Sequence, residues 1–375
     1  MKKQILFFLG DVYRLLIFPI FRIFDSEDCH NLVLRVGEII ERSHLTIAAF
    51  RKMFFVGGNS LKSSVAGIYF ENPIGLAAGF DYQAQITNLL PAIGFGFGSI
   101  GTVTLGKYDG NPRPRLGRLI KSQSLLVNKG FKSPGMKSIL SKLSRHSWTV
   151  PVGISIGRTN SADLRTNEDA VADIVSSFNL AEASTVPFSY YELNISCPNL
   201  ISGIEFYSPE KLRALLLAVT ALNLSKPIFI KMPIDKTDDE VRVMLDIIIE
   251  FPVAGIIIGN LQKDRNHPSL YQDEVAQCQK GSFSGKPCSE RSDELIRLAY
   301  RTTQGKIVII GCGGVFTAED AYRKIRLGAS LIQLVTALIY RGPLVPAEIC
   351  TGLQDLLVRD GFSSVSSAVG VSAES

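Results

Sequence analysis

The chain has 375 residues, 46% of them hydrophobic, a formal net charge of +5 and a mean hydropathy of +0.19. That length accommodates one large α/β barrel or two ordinary domains. The mild charge argues against a dedicated nucleic-acid binder and is compatible with an anionic membrane surface. Six scattered cysteines without a CxxC pair, and four histidines without ligand spacing, argue against a zinc centre or a disulfide framework.

Residues 1–24 read MKKQILFFLGDVYRLLIFPIFRIF. Asp11 breaks the unbroken apolar core that a signal peptide needs. A spanning helix would bury Asp11, Arg14 and Arg22, each costing ~2.5–3.5 kcal/mol near mid-bilayer. The pattern instead predicts an interfacial segment. Leu15, Leu16, Ile17, Phe18, Ile20, Phe21, Ile23 and Phe24 insert, while Lys2, Lys3, Arg14 and Arg22 face headgroups. Pro19 kinks or starts a helix there. A second helix follows an Asp25-Ser26 cap and carries Leu32, Val33, Val36, Ile39 and Ile40 at helical spacing. The other reading of this region is a helical hairpin packed on the main domain. The expected boundaries are 1–58 for the helical membrane region, 59–360 for a barrel and 361–375 for a flexible tail rich in small residues.

A short β segment, Ser64–Phe70, leads to Asn72-Pro73, and apolar strands then alternate with helical stretches. The strands read as Gly75–Ala78, Ser99–Val103, Val152–Ile156, Tyr190–Ile195, Ile228–Lys231, Gly255–Ile258, Ile307–Ile310 and Leu331–Val335. Eight strands close a (β/α)8 TIM barrel. Amphipathic runs such as Pro209–Leu222, Asp238–Ile249 and Ala318–Leu327 supply outer helices. The connections Leu105–Ser133 and Leu261–Pro287 are long, and long loops at strand exits are where a barrel places its chemistry.

Polar and small residues gather at those exits: Gly79, Asp81, Thr102, Ser155, Asn194, Lys231 and Asn260. Such ends look like a lined pocket. Lys231 aims a buried cation at the mouth, suited to an electron-rich cofactor, unless it snorkels to solvent. The stretch Ser189–Asn199 is central. Its strand exits into Asn194, Ser196, Cys197, Pro198 and Asn199, two carboxamides flanking a thiol able to act as nucleophile or base. The plain alternative is a buried structural cysteine between turn-forming asparagines. Gly311-Cys312-Gly313-Gly314 after strand seven, Val335-Thr336 after strand eight and the close-approach glycine Gly285 form a phosphate signal.

These residues together resemble the dihydroorotate dehydrogenases, FMN-dependent barrels of pyrimidine synthesis. The landmarks are Asn72–Asp81, Gly101–Thr104, Asn194–Asn199, Ile310–Gly314 and Gly328–Leu331. The region 18–40 is similar to the hairpin that forms the quinone entrance in the membrane-associated class 2 enzymes. The resemblance implies FMN at Ala78, Gly79, Thr102, Asn194, Lys231, Gly285, Gly313, Gly314 and Thr336, with Ser155 and Val335 at two further FMN positions. It implies dihydroorotate or orotate at Asn194, Asn199 and Asn260, with Asn128 one place along from a further family asparagine, whose own position is Val127. It makes Cys197 the base, as in class 1 enzymes, where class 2 enzymes carry serine. The family lysine that meets the substrate carboxylate is Tyr82, with Lys129 or Lys132 as stand-ins, and a substrate-side threonine is Leu261. It further implies a membrane quinone as acceptor and a peripheral position on the cytoplasmic face of the inner membrane, with no nucleic-acid partner. Two rivals are a tRNA-dihydrouridine synthase-like enzyme and a flavin-binding barrel without dihydroorotate activity. The first calls for a basic RNA surface and a helical domain beyond the eighth strand; the retained Asn194–Asn199 cluster argues against the second.

Overall fold

Aliphatic runs that are apolar on both faces make parallel strands buried on both sides, and that arrangement organises this chain. The computed structural model describes residues 2–201 and 203–374. In chain order, β1 (Ser63–Val65) and β2 (Ile68–Phe70) form an antiparallel hairpin. β3 (Ile74–Leu76) and β4 (Phe97–Val103) begin a barrel, while β5 (Leu116–Leu119) and β6 (Ser124–Val127) leave it. β7 (Val152–Ile156), β8 (Tyr190–Asn194), β9 (Ile228–Lys231) and β10 (Gly255–Ile258) continue it. β11 (Ser282–Phe283) leaves again, and β12 (Val308–Cys312) and β13 (Leu331–Leu334) complete it. The barrel closes in the order β10-β12-β13-β3-β4-β7-β8-β9, with every neighbour parallel. It is the expected (β/α)8 TIM barrel.

Two features differ from the sequence expectation. The β segment Ser64–Phe70 is a hairpin, because Ala66 and Gly67 both take positive φ and turn the chain back. It packs Val65 and Phe70 against Phe97, Tyr190 and Phe229 and plugs one end of the barrel. The two long connections are not plain loops. They supply an antiparallel sheet in the order β11-β6-β5. This cap sheet carries its own apolar cluster of Leu119, Leu126, Leu270, Val275 and Phe283.

The outer helices Pro209–Thr220, Asp238–Ile248 and Ala318–Arg326 lie close to where the periodicity puts them. Thr237 with Glu240, and Thr317 with Asp320, form reciprocal caps that fix two of their starts. The N-terminal rod runs Lys2–Val12, then a wider turn at Tyr13–Ile17, then Phe18–Phe21 with Pro19 in its first turn. A helix Ser26–Glu41 follows, its start capped by the Asp25 carboxylate, which accepts from Glu27 and Asp28 N–H. A third helix, His44–Phe54, returns the chain to the barrel.

The stretch 361–375, expected to be a flexible tail, is instead packed as far as Ala373. Val365, Ala368 and Ala373 are fully buried. The backbone N–H groups of Gly370 and Ser372 donate to Ile325 O (3.1 Å) and Arg326 O (2.8 Å). Small residues make this possible: a Cβ on Gly370 would lie 2.2 Å from the Tyr300 ring. Val365→Ala should therefore lower the unfolding free energy by about 2 kcal/mol, whereas Ser366→Ala, on the exposed side, should leave it nearly unchanged. Chemical denaturation of both variants checks this; equal stability would make the segment dispensable.

Candidate active site

A cavity of about 530 Å3 opens at the exits of the barrel strands and continues between the cap sheet and the N-terminal helices. Parallel strands end at one rim, so the last residue of each strand and the first of the next loop face the same space. The rim brings together Ala78, Gly79, Thr102, Asn194, Cys197, Asn199, Lys231, Asn260, Gly285, Gly313, Gly314, Val335 and Thr336. Ser155 and Asn128 are not brought to the wall. Ser155 is buried behind it, its Oγ 3.0 Å from Thr102 Oγ1. Asn128 turns away from it and accepts from Asn111 Nδ2 at 3.0 Å, while its neighbour Val127 lines the cavity.

The carboxamides are fixed by a relay. Asn260 Nδ2 donates to Ser196 Oγ (2.7 Å) and Ser196 O (2.9 Å). Ser196 Oγ and N–H donate to Asn194 Oδ1 at 3.0 and 3.2 Å. Asn194 Nδ2 then donates to Thr102 Oγ1 at 2.8 Å. Asn199 is held by donating to Val127 O at 3.0 Å. Two further asparagines, invisible to the strand-end reasoning, tie this loop down. Asn111 Nδ2 donates to Asn199 O at 3.0 Å. Asn160 Nδ2 donates to Gly130 O (3.0 Å), while its Oδ1 accepts from Ile201 N–H (2.7 Å). Gly130 has φ +65°, and a Cβ there would sit 2.6 Å from Asn111 Oδ1, so the tie requires glycine.

Cys197 stands inside this frame. Burial pushes its thiol up to about 11, while the Asn199 N–H and the cations Arg158, Lys231 and Lys263 pull it back down. Lys231 is 5% exposed, and its ammonium makes no hydrogen bond or ion pair among the described residues. A Cβ built on Gly79 meets no protein atom within 4 Å.

The outer half of the cavity is apolar. Tyr13, Ile17, Phe18, Phe21 and Val33 line it from the N-terminal helices. Arg118 of β5 clasps their turn by donating to Phe21 O, Phe24 O and Ser26 Oγ. His30 lies edge-on to Phe80 and stacks on Tyr82, ring centroids 4.9 and 5.9 Å apart. Burial, and then the Lys129 cation, push its imidazole down to about 3, so it is neutral. Only the spatial meeting of the cap sheet with the hairpin reveals Arg118; nothing in its local sequence marks it.

A family model described as dihydroorotate dehydrogenase matches residues 60–357. Among curated relatives, a protein of Trichodesmium erythraeum named dihydroorotate dehydrogenase (quinone) is 34% identical over 96% of this chain and 99% of its own. Proteins of the same name from Roseiflexus sp. and Mycolicibacterium smegmatis are 36% and 37% identical, over 97% and 83% of this chain and 99% and 85% of theirs. The crystal structure of DHODH from Eimeria tenella in complex with ferulenol superposes with a TM-score of 0.82 at 27% identity, covering 92% of this chain and 95% of that one. With the family model spanning the barrel and relatives matching nearly end to end, the chain belongs to the dihydroorotate dehydrogenase family.

Proposed function

We propose that this protein oxidises dihydroorotate to orotate in pyrimidine synthesis and passes the electrons to a membrane quinone, with FMN as its flavin. The observation that carries this reading is the continuous cavity, polar at the strand exits and apolar between the N-terminal helices. Its two halves suit a polar heterocycle and a greasy acceptor. The residues present fit a flavin. Lys231, Asn194 and Thr102 would hold its ring beside the open side of Gly79, and the backbone at Gly285, Gly313, Gly314 and Thr336 would hold its phosphate. When bound, the flavin supplies the hydride acceptor for substrate C6 and the store of electrons for the quinone.

The protein's own part is orientation and proton transfer. Asn194, Asn199 and Asn260 present a fixed set of donors and acceptors to the heterocycle, and their relay removes the freedom to rotate. Cys197 as thiolate takes the C5 proton. The enclosed setting strengthens the pull of Arg158, Lys231 and Lys263 on the thiol. Asp235 holds the Lys263 ammonium at 2.7 Å.

The apolar residues Leu15, Leu16, Ile20, Ile23, Phe24, Leu32, Val36 and Ile39 are exposed together on the two N-terminal helices. The rod Lys2–Phe21 is long and apolar enough to cross a bilayer by composition. It is nevertheless tied along the barrel: Arg14 pairs with the buried Glu348 at 3.3 Å, and Tyr13 OH donates to Ile339 O at 2.8 Å. A rod so tied lies on a membrane, with the cavity mouth between its exposed apolar side chains. The cytoplasmic face of the inner membrane suits a soluble substrate and six free thiols.

Replacing Cys197 with Ala should slow anaerobic flavin bleaching by dihydroorotate ~10²–10⁴-fold with flavin content unchanged. A thiol held near 11 is mostly protonated at neutral pH, so the parent rate should rise with pH toward that value. Cys197→Ser should move the profile higher still, since a hydroxyl ionises less readily; an Ala variant at the parent rate makes Cys197 structural. Val33→Trp should obstruct the outer cavity and cut quinone turnover roughly tenfold, leaving turnover with an artificial dye intact. Loss of both together would refute a separate acceptor path. Replacing Leu15, Leu16 and Ile20 together with Ser should weaken binding to anionic vesicles by roughly 10²-fold. High salt should weaken the parent's binding without abolishing it, because the apolar part is unscreened. A flotation assay reads both, and unchanged flotation of the triple variant would rule out this face.

A further inference from the structure

Four cationic side chains converge where the N-terminal helix meets the connection around β5 and β6, and three of them share one carboxylate. Glu27, 2% exposed, forms ion pairs with Arg113 (3.3 Å), Arg115 (3.1 Å) and Lys132 (3.5 Å), the last two also hydrogen bonds. The fourth, Lys129, is 8% exposed, and its Nζ has no hydrogen-bond partner among the described residues. Its contact is the face of Tyr82, whose ring centroid lies 4.3 Å from Nζ. A buried ammonium without an acceptor is costly, and this one lines the cavity. The carbonyls on either side, Val127 O and Gly130 O, accept from Asn199 and Asn160, so the Lys129 backbone is bolted to the loop that carries Cys197.

We infer that Lys129 receives the carboxylate of the substrate, taking over from Tyr82, which stands where the resemblance expects a lysine. The two side chains have exchanged roles. The cation now comes from the β6 connection, and the aromatic ring after β3 supports it from beneath. Lys132, the other candidate stand-in, is already spent on Glu27. This inference rests on the proposed function, because it is the dihydroorotate carboxylate that Lys129 would meet.

The same geometry sets a pH dependence. The groups facing Lys129 are Glu27 and His30 from the helix Ser26–Glu41, Tyr82 from the loop after β3, Arg115 before β5, and Lys132 on its own connection. Burial pushes the Lys129 ammonium down to about 7, with Lys132 and Arg115 adding to the push and Glu27 opposing it. With His30 neutral, Lys129 is the cation there whose charge changes near pH 7. Below pH 7 the ammonium is ready-made for an anion; above it, binding has to recruit a proton. Orotate affinity should fall as pH rises through and beyond 7.

The test uses the flavin-loaded full chain. Lys129→Met removes an unpaired buried charge, so it should fold and hold flavin at least as well as the parent. Its KM for dihydroorotate and its Kd for orotate, read from the flavin spectrum, should rise roughly 10- to 100-fold. Its KM for quinone should stay fixed, and the pH dependence of orotate affinity should vanish. The carboxamide analogue of orotate, which lacks the negative charge, should bind parent and variant alike. Joint replacement Tyr82→Lys with Lys129→Tyr should recover orotate affinity, a rescue that a merely structural lysine would not permit. An unchanged dihydroorotate KM in Lys129→Met, an equal loss for the neutral analogue, or a change confined to the quinone KM overturns the assignment alone. A parent that holds flavin but is not bleached by dihydroorotate overturns the proposed function, and this assignment with it.

Discussion

A carboxylate sealed from water has to be matched or neutralised, and Glu27 is matched three times over. Removing the partners of such a buried charge costs about 3–5 kcal/mol, so this cluster is a strong joint between the N-terminal helix and the cap sheet. Arg118 adds a second clasp by taking up the carbonyls at the turn between the two helices. The cap sheet is joined in turn to the loop after β8 through Asn111 and Asn160. The cavity is the space these joints leave. Without them the barrel would keep its polar rim, but the apolar passage to the N-terminal helices would have no wall.

The barrel was legible because parallel strands buried on both faces appear as unbroken apolar runs. Three of the eight, β7, β9 and β10, begin and end where the sequence reading put them. The cap sheet was not legible. β5 reads Leu-Gly-Arg-Leu, β11 has two residues, and neither has enough length to show a period. The tail misled for a related reason: its small residues resemble a linker in composition, yet they are small because they pack closely against Tyr300 and Ile325. The cavity lining was legible where a residue ends a strand, as Asn194 and Lys231 do, and illegible where the wall depends on two loops meeting. Asn111, Asn160, Arg118 and the importance of Lys129 all fall in the second group. Asn128 shows the limit sharply. Successive side chains along a strand face opposite ways, so Val127 at the end of β6 turns to the cavity and its neighbour turns away. A shift of one residue in the pattern is a change of side.

The N-terminal rod makes a similar point about composition and context. Hydropathy alone permits a transmembrane span, but Glu348, nearly buried, holds Arg14 and Arg341 at 3.3 and 3.0 Å. Pulling the rod into a bilayer would take Arg14 from that carboxylate, leaving it only Arg341 among the described residues, and would bury Asp11. The same contacts that keep the rod on the barrel leave its other side, and that of the following helix, free and apolar. The exposed apolar face and the cavity mouth therefore lie on one surface, the one the proposed function sets against the membrane. Under that reading a quinone leaving the lipid would not need to cross water to reach the passage.

The two unmatched lysines express a single design choice. Lys231 and Lys129 are both buried, and neither ammonium has an acceptor among the described residues, while Glu27 beside Lys129 is paired three times. Leaving Lys129 unpaired carries a desolvation penalty in the ligand-free protein, which an anionic partner would relieve under the assignment inferred above. A neutral ligand of the same shape recovers none of it, because the cation stays buried and unpaired. Selectivity for charge is thus obtained from the cost of the empty site, and the position of each cation matters more than the chain segment that carries it. That is why an aromatic residue after β3 is compatible with the chemistry, provided a lysine from the facing connection occupies the same corner of the cavity.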